Sequence, residues 1–216
     1  EDADLAITSA PATALLLSSS SPYATINGRD FAALDATGKV VPGAQVLAYV
    51  PNPLADLPSM AGTINGVVDV VNSGSYGIRL GNTLNITNGI RFSAPHATLT
   101  RWLIDAPSGR TLTVGSILVT PEVGSDRVLI SGTGFLRGSN NQAAGGLIIH
   151  QHNPQGELEI AVPISNFSGF FTPLTKTGPG TLVLSGNSGY TGPTYLWDGE
   201  LIVRGNNASC SGAVTV

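Results

Sequence analysis

The stretch from Leu174 to Gly205, LTKTGPGTLVLSGNSGYTGPTYLWDGELIVRG, states one pattern twice. TLVL follows a Gly-Pro-Gly turn and ELIV follows Asp-Gly, so Leu182 and Leu201 stand in equivalent places nineteen residues apart. Each half is a short strand that cannot bury its own apolar face, so copies of the unit must stack on one another. Alternate residues of a strand face opposite sides, which points Leu182, Leu184, Leu201 and Val203 inward and Thr181, Val183, Glu200 and Ile202 outward.

Short apolar alternations recur along the chain, including Val67 to Val71, Leu84 to Ile86, Ile90 to Phe92, Ile117 to Val119, Val128 to Ile130, Leu147 to Ile149 and Leu158 to Ile160. Between them lie turn dipeptides such as Asn65-Gly66, Asn88-Gly89 and Ser131-Gly132. None of the runs carries a helical period. With 42% hydrophobic and 11% charged residues, the chain is too apolar for disorder and too poor in Glu, Lys and Arg for a helical body. The class is all-β. Similar spacings at Leu99 to Leu118 and Leu129 to Leu147 favour a solenoid over a sandwich, with coils of about twenty residues. Roughly eight to ten coils about 4.8 Å apart predict a rod on the order of 40–50 Å long with an aliphatic interior. Glycines fall where the chain turns with positive φ or where coils approach closely, and Asn and Ser at turns are expected to form ladders.

Residues 1–60 lack this rhythm. They carry six prolines from Pro11 to Pro58 and a Ser18 to Ser21 run, and are read as an N-terminal cap with some strand pairing, with coils over 61–216. The chain stops at Ala213-Val-Thr-Val216 within what reads as another strand, which leaves self-association or continuation of a longer chain as expectations. The net charge is −4 and the basic residues are scattered, so no nucleic-acid partner is expected. The most apolar early segment, Ala12 to Leu17, is too short to span a bilayer. A single cysteine, Cys210, excludes intramolecular disulfides and leaves stability to packing.

At Leu174 to Gly205 the words Leu-Thr-Lys, Gly-Pro-Gly, Thr-Leu-Val-Leu-Ser-Gly, Tyr-Thr-Gly and Gly-Glu-Leu-Ile-Val closely resemble the autotransporter-associated β-strand repeat, a passenger-associated repeat. Weaker similarity reaches Ile26 to Leu34, Ile117 to Gly124 and Leu147 to Asn153. The resemblance implies a right-handed single-stranded parallel β-helix, export beyond the cytoplasm, a place in a long surface-displayed or secreted bacterial chain, and no catalytic motif. Pro179 and Pro193 depart from the family pattern, standing where small residues are usual.

Two constellations bear on chemistry. His150-Gln-His152 puts two imidazoles on one strand face, offering two of the three or four ligands a metal needs, with no third nearby, so no metal or other cofactor is expected. Asp105, Glu122, Asp126, Glu157 and Glu159 lie on different coils or share a face, and would have to pair across one sugar to act as a lyase or hydrolase. Tyr195 and Trp197 face outward if Leu196 faces in, and with Ile202 and Val183 they form a candidate surface for glycan or protein. The expected function is that of a non-enzymatic extracellular structural protein, a β-helical stalk or fibre unit. An adhesin and a polysaccharide-cleaving enzyme are the alternatives.

Overall fold

A computed structural model describes residues 14–15, 17–18, 21–51, 60–71, 78–96, 101–138, 146–166 and 170–216. Strand follows strand through them, and among the described residues the only helical elements are the 3-10 turns Gly43–Gln45 and Pro121–Val123. The strands from Val50 onward pair in parallel, each with the strand one coil away, and build a β-solenoid in which about five turns carry strands on both faces.

Two long faces define it. On the first, Val67–Val70, Ile78–Phe92, Thr111–Val119, Leu147–Gln151, Leu174–Thr177, Thr194–Leu196 and Val214–Thr215 succeed one another. On the second the succession is Arg101–Ala106, Arg127–Gly132, Leu158–Ile160, Thr181–Leu184 and Glu200–Val203. Inward residues stack in register as Val68, Ile90, Ile117 and Ile149 on the first face, and as Ile104, Ile130, Ile160 and Leu184 on the second. All eight are buried in one cluster that runs through the solenoid. Fully burying such a side chain contributes about 1.5–3 kcal/mol, so the columns rather than any cross-link hold the coils.

The pairing of Leu182 with Leu201 bears out the nineteen-residue step of the repeat. The same step links Asn187 to Asn206 and Ser188 to Asn207 through turn hydrogen bonds, the expected ladder. Elsewhere the step is longer, because Ile90, Ile117 and Ile149 occupy successive rungs, and the coils are therefore fewer than the eight to ten expected. Leu129 and Leu147 do not correspond: Leu129 pairs with Leu103 and Glu159 on the second face, whereas Leu147 pairs with Leu174 on the first. Leu118 pairs with Arg91 and His150, and Leu99 lies outside the described residues.

The interior is not purely aliphatic. Below Ile149 the column continues with Lys176 and then Leu196, and below Val119 with Gln151. Lys176, Gln151 and Asn153 are all fully buried. Where the chain turns from the first face to the second it leaves the ladder, and its carbonyls need other donors. The Lys176 ammonium supplies them to Thr177 O at 3.2 Å, Gly178 O at 2.6 Å and Asp198 O at 2.9 Å. Gln151 donates to Gly156 O and Thr181 O, and Asn153 donates to Gly124 O at 2.6 Å. A Cβ on Gly199, whose φ is +74°, would come within 2.8 Å of that ammonium and 2.5 Å of Gly178 O, so this corner requires glycine.

Of the two prolines that depart from the repeat pattern, Pro193 fits the ladder. Pro193 stands just before its strand and its carbonyl accepts from Leu174 N at 2.9 Å, as Pro173 does from Leu147 N at 2.8 Å.

Residues 21–49 form a separate antiparallel arrangement. Asp30–Leu34 pairs with Thr25–Ile26 and with Val40–Pro42, after which Val50–Pro51 joins the parallel stack beside Val68 and Asp69. This segment lies along the outside of the first face, where Phe31, Ala33, Val46, Leu47 and Tyr49 cover Val67 and Leu118.

Candidate functional site

The outward side of the first face carries two columns of side chains. One runs Val67, Gly89, Ser116, Ile148, Thr175, Tyr195, Thr215, and the other Asp69, Arg91, Leu118, His150, Thr177. Residues 21–49 are strapped across the upper rungs of both. Gly89 has no Cβ because the Phe31 ring occupies that place, 3.0 Å from where a Cβ would sit.

Polar anchors fix the strap. Arg91 donates from Nε to Asp69 Oδ1 at 2.9 Å, pairs through Nη1 with Asp30 at 3.0 Å, and lies 4.7 Å over the Tyr49 ring. Asp30 also accepts from Tyr49 Oη at 2.6 Å and from the amides of Phe31 and Ala44. Burial and the Asp30 carboxylate push the Tyr49 phenol well above its ordinary value, so it remains a donor. Arg29 pairs with Glu122 at 2.7 Å at the exposed margin.

His150 and His152 lie beneath the same strap. His150 is 2% exposed, and its Nε2 is 3.0 Å from Pro22 O. A carbonyl only accepts, so Nε2 carries the proton and Nδ1 accepts from Thr177 Oγ1 at 2.8 Å. Pro22 O also accepts from Ser116 Oγ at 2.6 Å. The two imidazoles stack with centroids 6.4 Å apart, and His152 Nε2 lies 3.2 Å from Thr25 Oγ1. Burial lowers the His150 pKa to about 4 and holds His152 below its ordinary value, so both rings are neutral at pH 7. With both nitrogens of His150 engaged, this pair holds polypeptide. Among the described residues no three His, Cys, Asp or Glu side chains gather as a metal site.

Beyond the strap's edge the outward residues Ile148, Thr175 and Tyr195 are half-buried among the described residues. Tyr195 and Trp197 stack nearly parallel, with centroids 6.2 Å apart and planes 14° apart, and Trp197 is 70% exposed. Ile202 is partly exposed on the second face, but its neighbour Val183 is fully buried although it stands outside the aliphatic cluster. The apolar stripe expected across Val183 is thus interrupted. Val203, expected inward, shares the Leu184 column but lies on the last described rung of that face and is 53% exposed.

Four of the candidate carboxylates are engaged by cations or backbone. Glu157 and Glu159 both pair with Arg127, Glu122 with Arg29, and Asp126 accepts from His96 N at 2.6 Å. Glu159 also accepts from Ser185 Oγ. The side chains of greatest structural consequence, Lys176 and the Asp30–Arg91–Asp69 group, were not singled out by sequence reasoning. Lys176 had a signal: it follows the inward Leu174 by two residues and so shares its face.

Parallel coils, columns of stacked aliphatic side chains and turn ladders define an all-β parallel β-solenoid. Residues 174–203 match the model of the passenger-associated-transport-repeat family, and this match together with the β-solenoid fits an autotransporter passenger repeat protein. No curated protein and no solved structure matches the chain. The repeat points to a secreted or surface protein, and among the described residues no helix is long and apolar enough to cross a membrane.

Proposed function

We propose that the chain is a structural length of an extracellular bacterial passenger, a stalk or fibre-forming unit without catalysis of its own. The observation that carries this reading is what the repeat's characteristic residues do. Lys176 holds turn carbonyls, Gly199 gives it room, and Leu182 and Leu201 stack in the core. The residues that mark the family are consumed in building the coil, and the paired carboxylates Glu157 and Glu159 both grip Arg127 rather than face an open groove. Copies associate through the outer faces, with Tyr195, Trp197 and Ile202 as the contact. Electron microscopy of purified native material tests the reading. Filaments with a regular axial rise are expected, and isolated particles with strictly monomeric sedimentation at high concentration would refute the fibre role.

A second reading is favoured by one observation, the exposed Tyr195–Trp197 pair. Stacked aromatics at a protein surface suit the apolar face of a sugar ring, so the same shelf would serve an adhesin. A glycan array decides between them. Signal that disappears in Trp197→Ala supports recognition of glycan, and no signal leaves the shelf to protein contacts.

A further inference from the structure

We propose that the imidazole pair His150–His152 makes the docking of residues 21–34 on the solenoid pH-dependent, held at neutral pH and released in mild acid. The inference concerns a latch within the chain and stands apart from the stalk and adhesin readings.

The geometry carries it. Pro22 O accepts from Ser116 and from the Nε2–H of His150, while Nδ1 accepts from Thr177, whose hydroxyl would have to turn to take a proton from a charged ring. A protonated ring would have to donate from both nitrogens. The Phe31 ring lies edge-on with its centroid 6.0 Å from that of His150, and Gly28 is so close that a Cβ there would sit 2.5 Å from the His152 ring. The contact thus excludes water from His150, and a charge on it would be stranded among neutral groups.

The charged surroundings do not rescue such a cation. On its own strand His150 faces His152, whose protonation would add a second positive charge beside the first. The preceding strand contributes Leu118 and the following one Thr177. From the next corner Lys176 repels a proton on His152 and Asp198 attracts it. The strap itself presents Pro22 O, Thr25, Gly28 and Phe31 to the pair. Its carboxylate Asp30 is held by Arg91 and its Arg29 by Glu122.

The sign follows from linkage. Docking holds the His150 pKa at about 4, against 6.5 for a free imidazole side chain, so the released form binds a proton that the docked form rejects. Docking is complete above pH 6.5 and weakens as pH falls towards 4. Between pH 7.5 and pH 5.0 the docking equilibrium drops about 30-fold from His150 alone.

Hydrogen exchange with mass spectrometry on the full chain tests this, with rates corrected for the intrinsic pH dependence. Protection across residues 21–34 should fall about 30-fold from pH 7.5 to 5.0, while Leu174–Leu184 stays unchanged. In His150→Gln only the share owed to His152 should remain, and in His150→Gln/His152→Gln the strap's protection should be the same at both pH values. Equal protection of the native strap at both pH values overturns the proposal. So does an acid loss that persists undiminished in His150→Gln/His152→Gln, which would assign the effect to groups outside the imidazole pair. Should that variant fail to fold, NMR titration of the His150 ring in the native chain decides. A midpoint below about 5 that coincides with strap release supports the latch, and one near 6.5 ends it.

Discussion

Replacing Lys176 by Met removes a charge while keeping an unbranched stem of similar reach in the column between Ile149 and Leu196. The stem's packing therefore survives, and what is lost is the donor set for Thr177 O, Gly178 O and Asp198 O. Each buried acceptor left without a donor costs about 1–3 kcal/mol, and the weakest of the three bonds, at 3.2 Å, belongs at the low end. Against this, burial already penalises the ammonium, lowering its pKa from 10.5 to about 8, and that penalty vanishes with the charge. The balance is a net destabilisation of about 2–4 kcal/mol confined to the C-terminal coils. Opening free energies of amides in Leu174–Leu184, from native-state hydrogen exchange, measure it directly. Ile149→Met, one rung away in the same column, is the control, since an aliphatic swap of near-equal volume costs less than about 1.5 kcal/mol. If Lys176→Met costs no more than this control, the ammonium is not capping the corner and the account of the repeat's lysine is wrong.

Arg91→Met should release residues 21–49, because it leaves Asp30 and Asp69 buried without their cation, at about 3–5 kcal/mol. Faster exchange of Phe31 to Leu34 with unchanged protection in Leu174–Leu184 is the expected reading. Gly205→Ala should lower the thermal midpoint measured by circular dichroism, since its Cβ would meet Gly186 O at 2.1 Å. Gly189→Ala, whose Cβ has only Ser209 Cβ at 3.9 Å, should not. Trp197→Ala should leave stability within about 0.5 kcal/mol, because the ring is mostly exposed, while abolishing whichever association the shelf supports.

The solenoid was legible because its signal is local and periodic. Leu182 and Leu201 share a flanking pattern, and alternation alone places Leu184 and Ile160 inside. Coil number was less legible, since loops of unequal length separate Ile90, Ile117 and Ile149, and no local rule sets their size. The anchoring of residues 21–49 was invisible for a different reason. Asp30, Arg91 and Asp69 are unremarkable surface residues in sequence, and only the fold brings the first of them to the other two. The histidine pair was noticed as a motif, but its covering by Pro22 and Thr25 depends on contacts spanning more than half the chain. Val183 shows the limit of alternation, which assigns a side but not whether anything covers it.

The contact between Pro22 and His150 joins residues 128 apart, whereas the ladders of the C-terminal unit join residues 19 apart. Closing short loops is fast and can propagate coil by coil, while a long-range contact must wait for the partner surface to exist. The strap precedes the solenoid in the chain, yet its contacts with His150 and His152 can form only after Leu147–Gln151 has taken its rung beside Thr111–Val119. Folding order is thereby uncoupled from sequence order at this one place. The Pro22–His150 hydrogen bond consequently serves as a late marker of assembly, reporting from the start of the chain that the coil around residue 150 has closed.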